Sequence, residues 1–291
     1  MDINSNKYTF IFSTVMVVVV GSLLAIAAVG LKPFQSENVK REKMQNILSS
    51  VGITVTAEEA GDKFNQYITD QIIINGNGEV KETDLKAFDV DVLKDYKSGM
   101  SNIYSANKDD EAAMRKALMS FGKGGANFPL FVYSGDDGSK KYIVPMVGKG
   151  LWGPIWGYVA INSDGNTVAG ATFDHKTETP GLGAEIKEGW FSEPFIGKKL
   201  FDENGNYVSV SVVKGGAPED DMHGVDAISG GTITSNGVSE MVYRTLKIYE
   251  PYFKSLNNSV AKVEEPEVEI PVSDSLTTDS LVVDTLNNQI N

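Results

Sequence analysis

The stretch Leu130-Phe131-Val132-Tyr133-Ser134-Gly135-Asp136-Asp137-Gly138-Ser139-Lys140-Lys141-Tyr142-Ile143-Val144-Pro145-Met146-Val147 sets two apolar runs on either side of a turn rich in glycine and aspartate. β-Branched and aromatic side chains suit a pleated surface, and Asp-Gly tolerates the tight reversal between strands, so the stretch predicts a hairpin. The pattern recurs downstream. Ile155 to Ile161 and Thr167 to Phe173 flank Asp164-Gly165, and Phe201 and Tyr207 to Val213 flank Asn204-Gly205 as a third hairpin. Chained hairpins place neighbours antiparallel, which predicts an α+β body with a largely antiparallel sheet and flanking helices.

Upstream, helical signals dominate. Ser36 can cap a helix carrying Val39, Met44, Ile47 and Leu48 on one face, with Gly52 placed to end it. Thr56-Ala57-Glu58-Glu59 matches a capping box ahead of Phe64, Tyr67 and Ile68. A short strand, Ile72 to Ile74, then meets the turn-forming Asn75-Gly76, and Asp110 to Phe121 predicts another helix.

No charge interrupts Tyr8 to Leu31, and Lys7 and Lys32 bracket the run. At about 1.5 Å per residue it can cross a hydrocarbon core of about 30 Å, so one N-terminal transmembrane helix is expected. Ala25-Ile26-Ala27 also fits a signal-cleavage pattern, but the apolar run is longer than a typical signal core. Lys32, Lys40, Arg41 and Lys43 follow the helix, a bias that locally favours a cytoplasmic body. The expected organisation is a cytoplasmic N-terminus (1–7), a transmembrane helix (8–31), a membrane-proximal α+β region (32–129), a functional region (130–257) and an acidic disordered tail (258–291). In the tail, Glu264, Glu265, Glu267, Glu269, Asp274, Asp279 and Asp284 stand with few apolar groups to bury.

Composition removes several function classes. The 291 residues carry a formal charge of −13 and no basic stripe, which argues against nucleic acid as a partner. Without cysteine there are no disulfides, thiolate nucleophiles or cysteine-ligated clusters. His175 and His223 are the only histidines and do not stand at metal-ligand spacing, so no metal site is assigned.

The chemistry concentrates in Asp226-Ala227-Ile228-Ser229-Gly230-Gly231-Thr232-Ile233-Thr234-Ser235-Asn236-Gly237. This is a glycine-rich turn feeding a helix, with Val238, Met241, Val242, Leu246 and Tyr249 on one face and Ser235 or Asn236 as N-cap. A helix start with adjacent glycines offers backbone N–H groups to an anion such as phosphate. On the glycine pair alone, a capped turn without ligand explains the pattern as well. The loop matches neither the Gly-Lys-Ser/Thr phosphate loop nor the Rossmann glycine spacing, which argues against a nucleotide triphosphatase.

Asp226 through Thr232 resembles the flavinylation motif Asp-x-x-Ser/Thr-Gly-Ala-Thr, with Gly231 in place of the usual alanine. Three further blocks follow the same family's order: Gly148-Lys149-Gly150-Leu151-Trp152-Gly153, Glu178-Thr179-Pro180-Gly181-Leu182-Gly183 and Val213-Lys214-Gly215-Gly216-Ala217-Pro218. From Tyr8 to about Phe253 the chain resembles the C subunit of the Na⁺-translocating NADH:quinone oxidoreductase.

That resemblance implies a membrane-anchored electron-transfer protein with FMN covalently bound as a phosphoester of Thr232. It implies Ser229, Gly230, Gly231 and Thr234 around the phosphate or ribityl chain, Trp152, Glu178, Thr179 and Leu182 near the isoalloxazine ring, and Lys214 countering negative charge. On hydropathy alone, Trp152 and Leu182 belong in the core, Glu178 and Lys214 on the surface, and His175 is a structural hydrogen-bonder. The implied partners are the other subunits of the complex, a flavin transferase and the membrane, with the body on the periplasmic side of the inner membrane. Two alternatives stay open: the G subunit of an Rnf-type ferredoxin:NAD⁺ oxidoreductase, and a membrane-anchored binding module without redox function.

Overall fold

The computed structural model describes residues 5–263. A single helix, α1 (Asn6–Ser49), opens it, with the Ser5 hydroxyl accepting from the Tyr8 amide. Its apolar part from Phe10 to Phe34 is solvent-exposed along its length, and burial begins at Ile47 and Leu48. The separate helix expected from Ser36 does not exist, because α1 runs through Pro33 and Ser36 without a break. Pro33 removes one helical hydrogen bond, and no glycine follows to supply the left-handed cap that would stop the chain. That cap comes at Gly52, where φ is +89°.

The Thr56 capping box forms as expected, with the Thr56 amide donating to Glu59 Oε2 at 3.2 Å and the Glu59 amide to Thr56 Oγ1 at 3.4 Å. Helix α2 (Ala60–Tyr67) follows and passes directly into β1 (Ile68–Ile74), which is longer than the predicted Ile72–Ile74. Short helices α3 (Val92–Asp95) and α4 (Ser101–Ala106), joined by a π turn at Tyr96–Met100, lead to α5 (Glu111–Met119), capped by Asp110.

Strands β2 (Phe128–Ser134), β3 (Lys140–Lys149), β4 (Pro154–Asn162) and β5 (Val168–His175) complete an antiparallel sheet in the order β1-β2-β3-β4-β5. The first two predicted hairpins are its β2-β3 and β4-β5 pairs. The runs in β2 and β3 read as continuously apolar because the sheet is covered on both faces. Leu130, Val132, Tyr142, Val144 and Met146 enter one core, whereas Phe131, Tyr133 and Ile143 enter a second beneath α1 and α2.

The third predicted hairpin is corrected. Phe201 and Tyr207 form only one antiparallel bridge around the Asn204-Gly205 turn. Beyond it, β6 (Ser211–Val213) pairs in parallel with β7 (Gly224–Asp226), so the chain must loop back through 214–223. The short helix α6 (Gly189–Ser192) puts Phe191 against Phe173 and Phe195 in the first core. The last described element, α7 (Thr232–Val263), lies across β3 and seals that core with Val238, Met241, Val242, Leu246 and Tyr249, the face read from the sequence. It reaches past residue 258, where the acidic tail was expected to begin; from 264 onward that tail lies outside the described residues.

Candidate functional site at the start of the last helix

Three loops meet where α7 begins. The first is the tight turn 150–153 between β3 and β4, closed by the Gly150 amide on the Gly153 carbonyl at 2.8 Å. The second is the 176–183 segment leaving β5, and the third is the Asp226–Gly231 lead into the helix. Glu178 joins them. Its Oε1 accepts from the Trp152 amide at 2.9 Å, and its Oε2 accepts from the Leu151 amide at 3.3 Å and from Thr234 Oγ1 at 2.6 Å. Its own amide donates to His175 Nδ1 at 3.2 Å, which gives His175 the structural role expected of it.

Glycine makes this packing feasible. A Cβ on Gly150 would stand 2.6 Å from Glu178 Oε1, and one on Gly183 would stand 2.6 Å from Oε2. Gly230 has φ +76°, and a Cβ there would fall 2.7 Å from Leu182 Cδ2. Each contact is closer than a methyl group tolerates, so these glycines mark close approach of the loops as well as turns.

The N-cap expected at Ser235 or Asn236 is overturned: α7 starts at Thr232, three residues earlier. Ser235 is fully buried inside the first turn, and its Oγ accepts from the Ile228 amide at 3.2 Å, folding the preceding loop back onto the helix. The hydroxyls now sort cleanly. Thr234 is 2% exposed and engaged by Glu178, and Ser235 is engaged by Ile228. Thr232 stands at the first helical position, and its hydroxyl has no hydrogen-bond partner among the described residues; the same is true of the exposed Ser229.

Residues 150–247 match the FMN-binding domain family. The chain is 36% identical over 217 residues to the C subunit of the Na⁺-translocating NADH-quinone reductase of Vibrio vulnificus, covering 74% of this chain and 81% of that protein. It is 34% identical over 264 residues to the C subunit of Neisseria meningitidis, covering 90% and 98%. The crystal structure of the C subunit from Parabacteroides distasonis superposes with a TM-score of 0.62 at 41% identity, over 77% of this chain and 96% of that one. This chain belongs to the family of Na⁺-translocating NADH-quinone reductase C subunits.

In this member of the family the side chains depart from what hydropathy alone predicts, and they do so at the site. Trp152 is 66% exposed and Leu182 41% exposed, with Leu151 exposed beside them, so the apolar groups stand at the surface. Glu178 is only 5% exposed. Burial by itself would raise its pKa, but the hydrogen bonds from Thr234 and the amides of Trp152, Leu151 and Gly153 outweigh it and hold the carboxyl below the usual range. Thr179 is exposed, and its carbonyl accepts from the Leu182 and Ala184 amides, shaping the loop.

Lys214 stands apart from the Glu178 hub. It follows Val213, the register partner of Asp226, on an exposed turn with Gly215 at φ +89°, and makes no hydrogen bond or ion pair among the described residues. Asp226 accepts the Ala217 amide at 2.8 Å and so fixes that turn beside the motif. Sequence reasoning missed this role, as it missed the bond between Thr234 and Glu178. The clue available was the grouping of Gly150 and Gly183 around a carboxylate, which marks a crowded junction.

Proposed function

We propose that this chain is the membrane-anchored, flavin-bearing electron-transfer component of a Na⁺-translocating NADH:quinone reductase complex, with FMN joined through its phosphate to Thr232 Oγ. The observation that carries the attachment is the sorting of hydroxyls at the start of α7. Thr234 and Ser235 are buried and already bonded, whereas Thr232 and Ser229 are unengaged among the described residues, and of these two only Thr232 stands on the helix, at its first position. There its oxygen can exchange its proton for a bond to phosphorus, with a flavin transferase supplying the phosphoryl donor and taking the leaving group.

The residues present fit such a group. The first-turn amides of α7 and the helix dipole suit a phosphodiester anion, and Gly230 and Gly231 let the turn before them pack against Leu182 and Ile228. Trp152, Leu182 and Leu151 offer exposed apolar area of the kind that covers a flat ring, and Thr179 and Ser229 add polar groups at the rim. Lys214 is a cation near the motif strand. Bound FMN supplies reversible electron uptake; the chain supplies its seat, its orientation and its electrostatics.

The same reading anchors α1 in the inner membrane. The exposed apolar stretch is long enough to cross a bilayer, and we propose that the body lies on the periplasmic side against the other subunits. The organisation into 1–7, 8–31, 32–129 and a functional region from 130 is proposed with it, the last carried by α7 to 263 in place of 257. Thr232→Ala tests the attachment. Chain expressed with a flavin transferase is expected to fluoresce on a denaturing gel, and Thr232→Ala to be dark; fluorescence in the variant would move the link elsewhere.

A further inference from the structure

The Glu178 carboxylate lies within the loop cluster that the proposed function assigns to flavin, yet its oxygens are already occupied. Oε1 is held by the Trp152 amide, and Oε2 by Thr234 and the Leu151 amide. Gly150 and Gly183 close over both oxygens so tightly that even a methyl group at either position would collide with them. Three donors hold this carboxylate in place. What it offers is geometry and charge.

We propose that Glu178 is a positioning residue: it ties the 150–153 turn and the 178–183 loop to the first turn of α7, and its fixed negative charge makes the bound flavin harder to reduce. The inference rests on the flavin reading and deepens it. The tie spans three separate chain segments, so it sets the spacing between Trp152 and Leu182 on one side and the Thr232 turn on the other. The charge argument follows from burial. Reduction adds negative charge to the site, and a fixed anion in a poorly solvated position opposes it, whereas solvent screens exposed charges. Lys214 would act in the opposite sense, but it is exposed and has no ion-pair partner among the described residues, while Glu178 is 5% exposed.

Glu178→Gln removes the charge and keeps the shape. Its amide oxygen can still accept from Trp152, and the Thr234 hydroxyl can rotate to accept from the new amide nitrogen, whereas the longer bond from the Leu151 amide is lost. The experiment uses full-length chain flavinylated in a host with the transferase, and reads the flavin midpoint potential at pH 7 together with far-UV circular dichroism. The expected result is a folded, flavin-bearing variant with a potential shifted to more positive values. Thr234→Val keeps the charge and removes one of the bonds that fix it, so it tests the acid profile and not the neutral-pH potential. In that variant the additional rise in potential on acidification, which marks protonation of Glu178, should begin at higher pH. This second measurement does not depend on Glu178→Gln folding. A flavin-bearing Glu178→Gln with the wild-type potential, or a wild-type chain and Thr234→Val with identical acid profiles, would overturn the proposal. Wild-type chain without flavin would instead count against the proposed function.

Discussion

Thr234 Oγ1 donates a 2.6 Å hydrogen bond to Glu178 Oε2, joining the first turn of α7 to the loop that leaves β5. The two residues are 56 positions apart in the chain, and both are almost fully buried. A hydrogen bond to a buried ionised group is worth more than a neutral one. Thr234→Val is therefore expected to cost about 2 kcal/mol of unfolding free energy, read from the denaturation midpoint. A loss well under half of that would mean that solvent already satisfies the carboxylate.

The same bond gives an acid-side signature. Glu178 is held below its ordinary value of 4.5, so its contribution to stability is complete above that pH and disappears as pH falls through its lower folded value. The stability gap between wild type and Glu178→Gln should be constant near neutrality and shrink below about pH 4.5. A gap that widens on acidification would contradict the hydrogen-bond account.

Lys43 titrates in the opposite part of the scale. Its Nζ donates to the Phe88 and Val90 carbonyls at 2.6 and 3.1 Å, clasping α1 to the 87–90 turn. Burial pushes its pKa down to about 8, against the opposing pull of Asp91 and Asp89. Because the folded chain holds this proton less tightly than the unfolded chain, wild-type stability relative to Lys43→Met should rise from about pH 8 towards 10.5. Chemical denaturation across that range reads the difference directly.

The exposed and the packed parts of α1 are separate. Ile47, Leu48 and Val51 belong to the second core, whereas the apolar side chains from Phe10 to Phe34 stand exposed outside both cores. Removal of residues 1–34 should yield a soluble, folded chain, and removal of residues 1–51 should expose that core and abolish cooperative unfolding. An insoluble 35–291 chain would mean that the apolar helix has a further role in the body.

Topology can be read without background because the chain has no cysteine. A single cysteine at the exposed Glu203 should react with a membrane-impermeant thiol reagent in intact spheroplasts. Labelling only after lysis would place the body in the cytoplasm, the side that Lys32, Lys40, Arg41 and Lys43 favour locally.

The β2-β3 and β4-β5 hairpins were legible because their turns carry Asp-Gly and their strands are bounded by polar residues. Buried strands of this length also read plainly as apolar runs. The β6-β7 pair was not legible, since its parallel pairing depends on a return through 214–223 that no local pattern encodes. Helix ends were misplaced for two reasons: Ser235 looks like a cap but is consumed by the Ile228 amide, and Ser36 lies within a helix that nothing stops before Gly52. The functional loop itself was visible as glycines and hydroxyls. That Thr234 is engaged, leaving Thr232 and Ser229 without partners among the described residues, could be seen only once Glu178, distant in sequence, was brought against it.

Cleavage after Lys214 and Arg244 releases the segment 215–244 carrying Ser229, Thr232, Thr234 and Ser235 together. Fragment-ion mass spectrometry of that peptide, from chain isolated from its native membranes, is expected to show the mass of one FMN less one water on Thr232 and none on the segment's other hydroxyls, Ser239 and Tyr243 included. The unmodified peptide throughout, or the added mass on Ser229, Thr234 or Ser235, would contradict the assignment of Thr232 as the flavin-bearing residue.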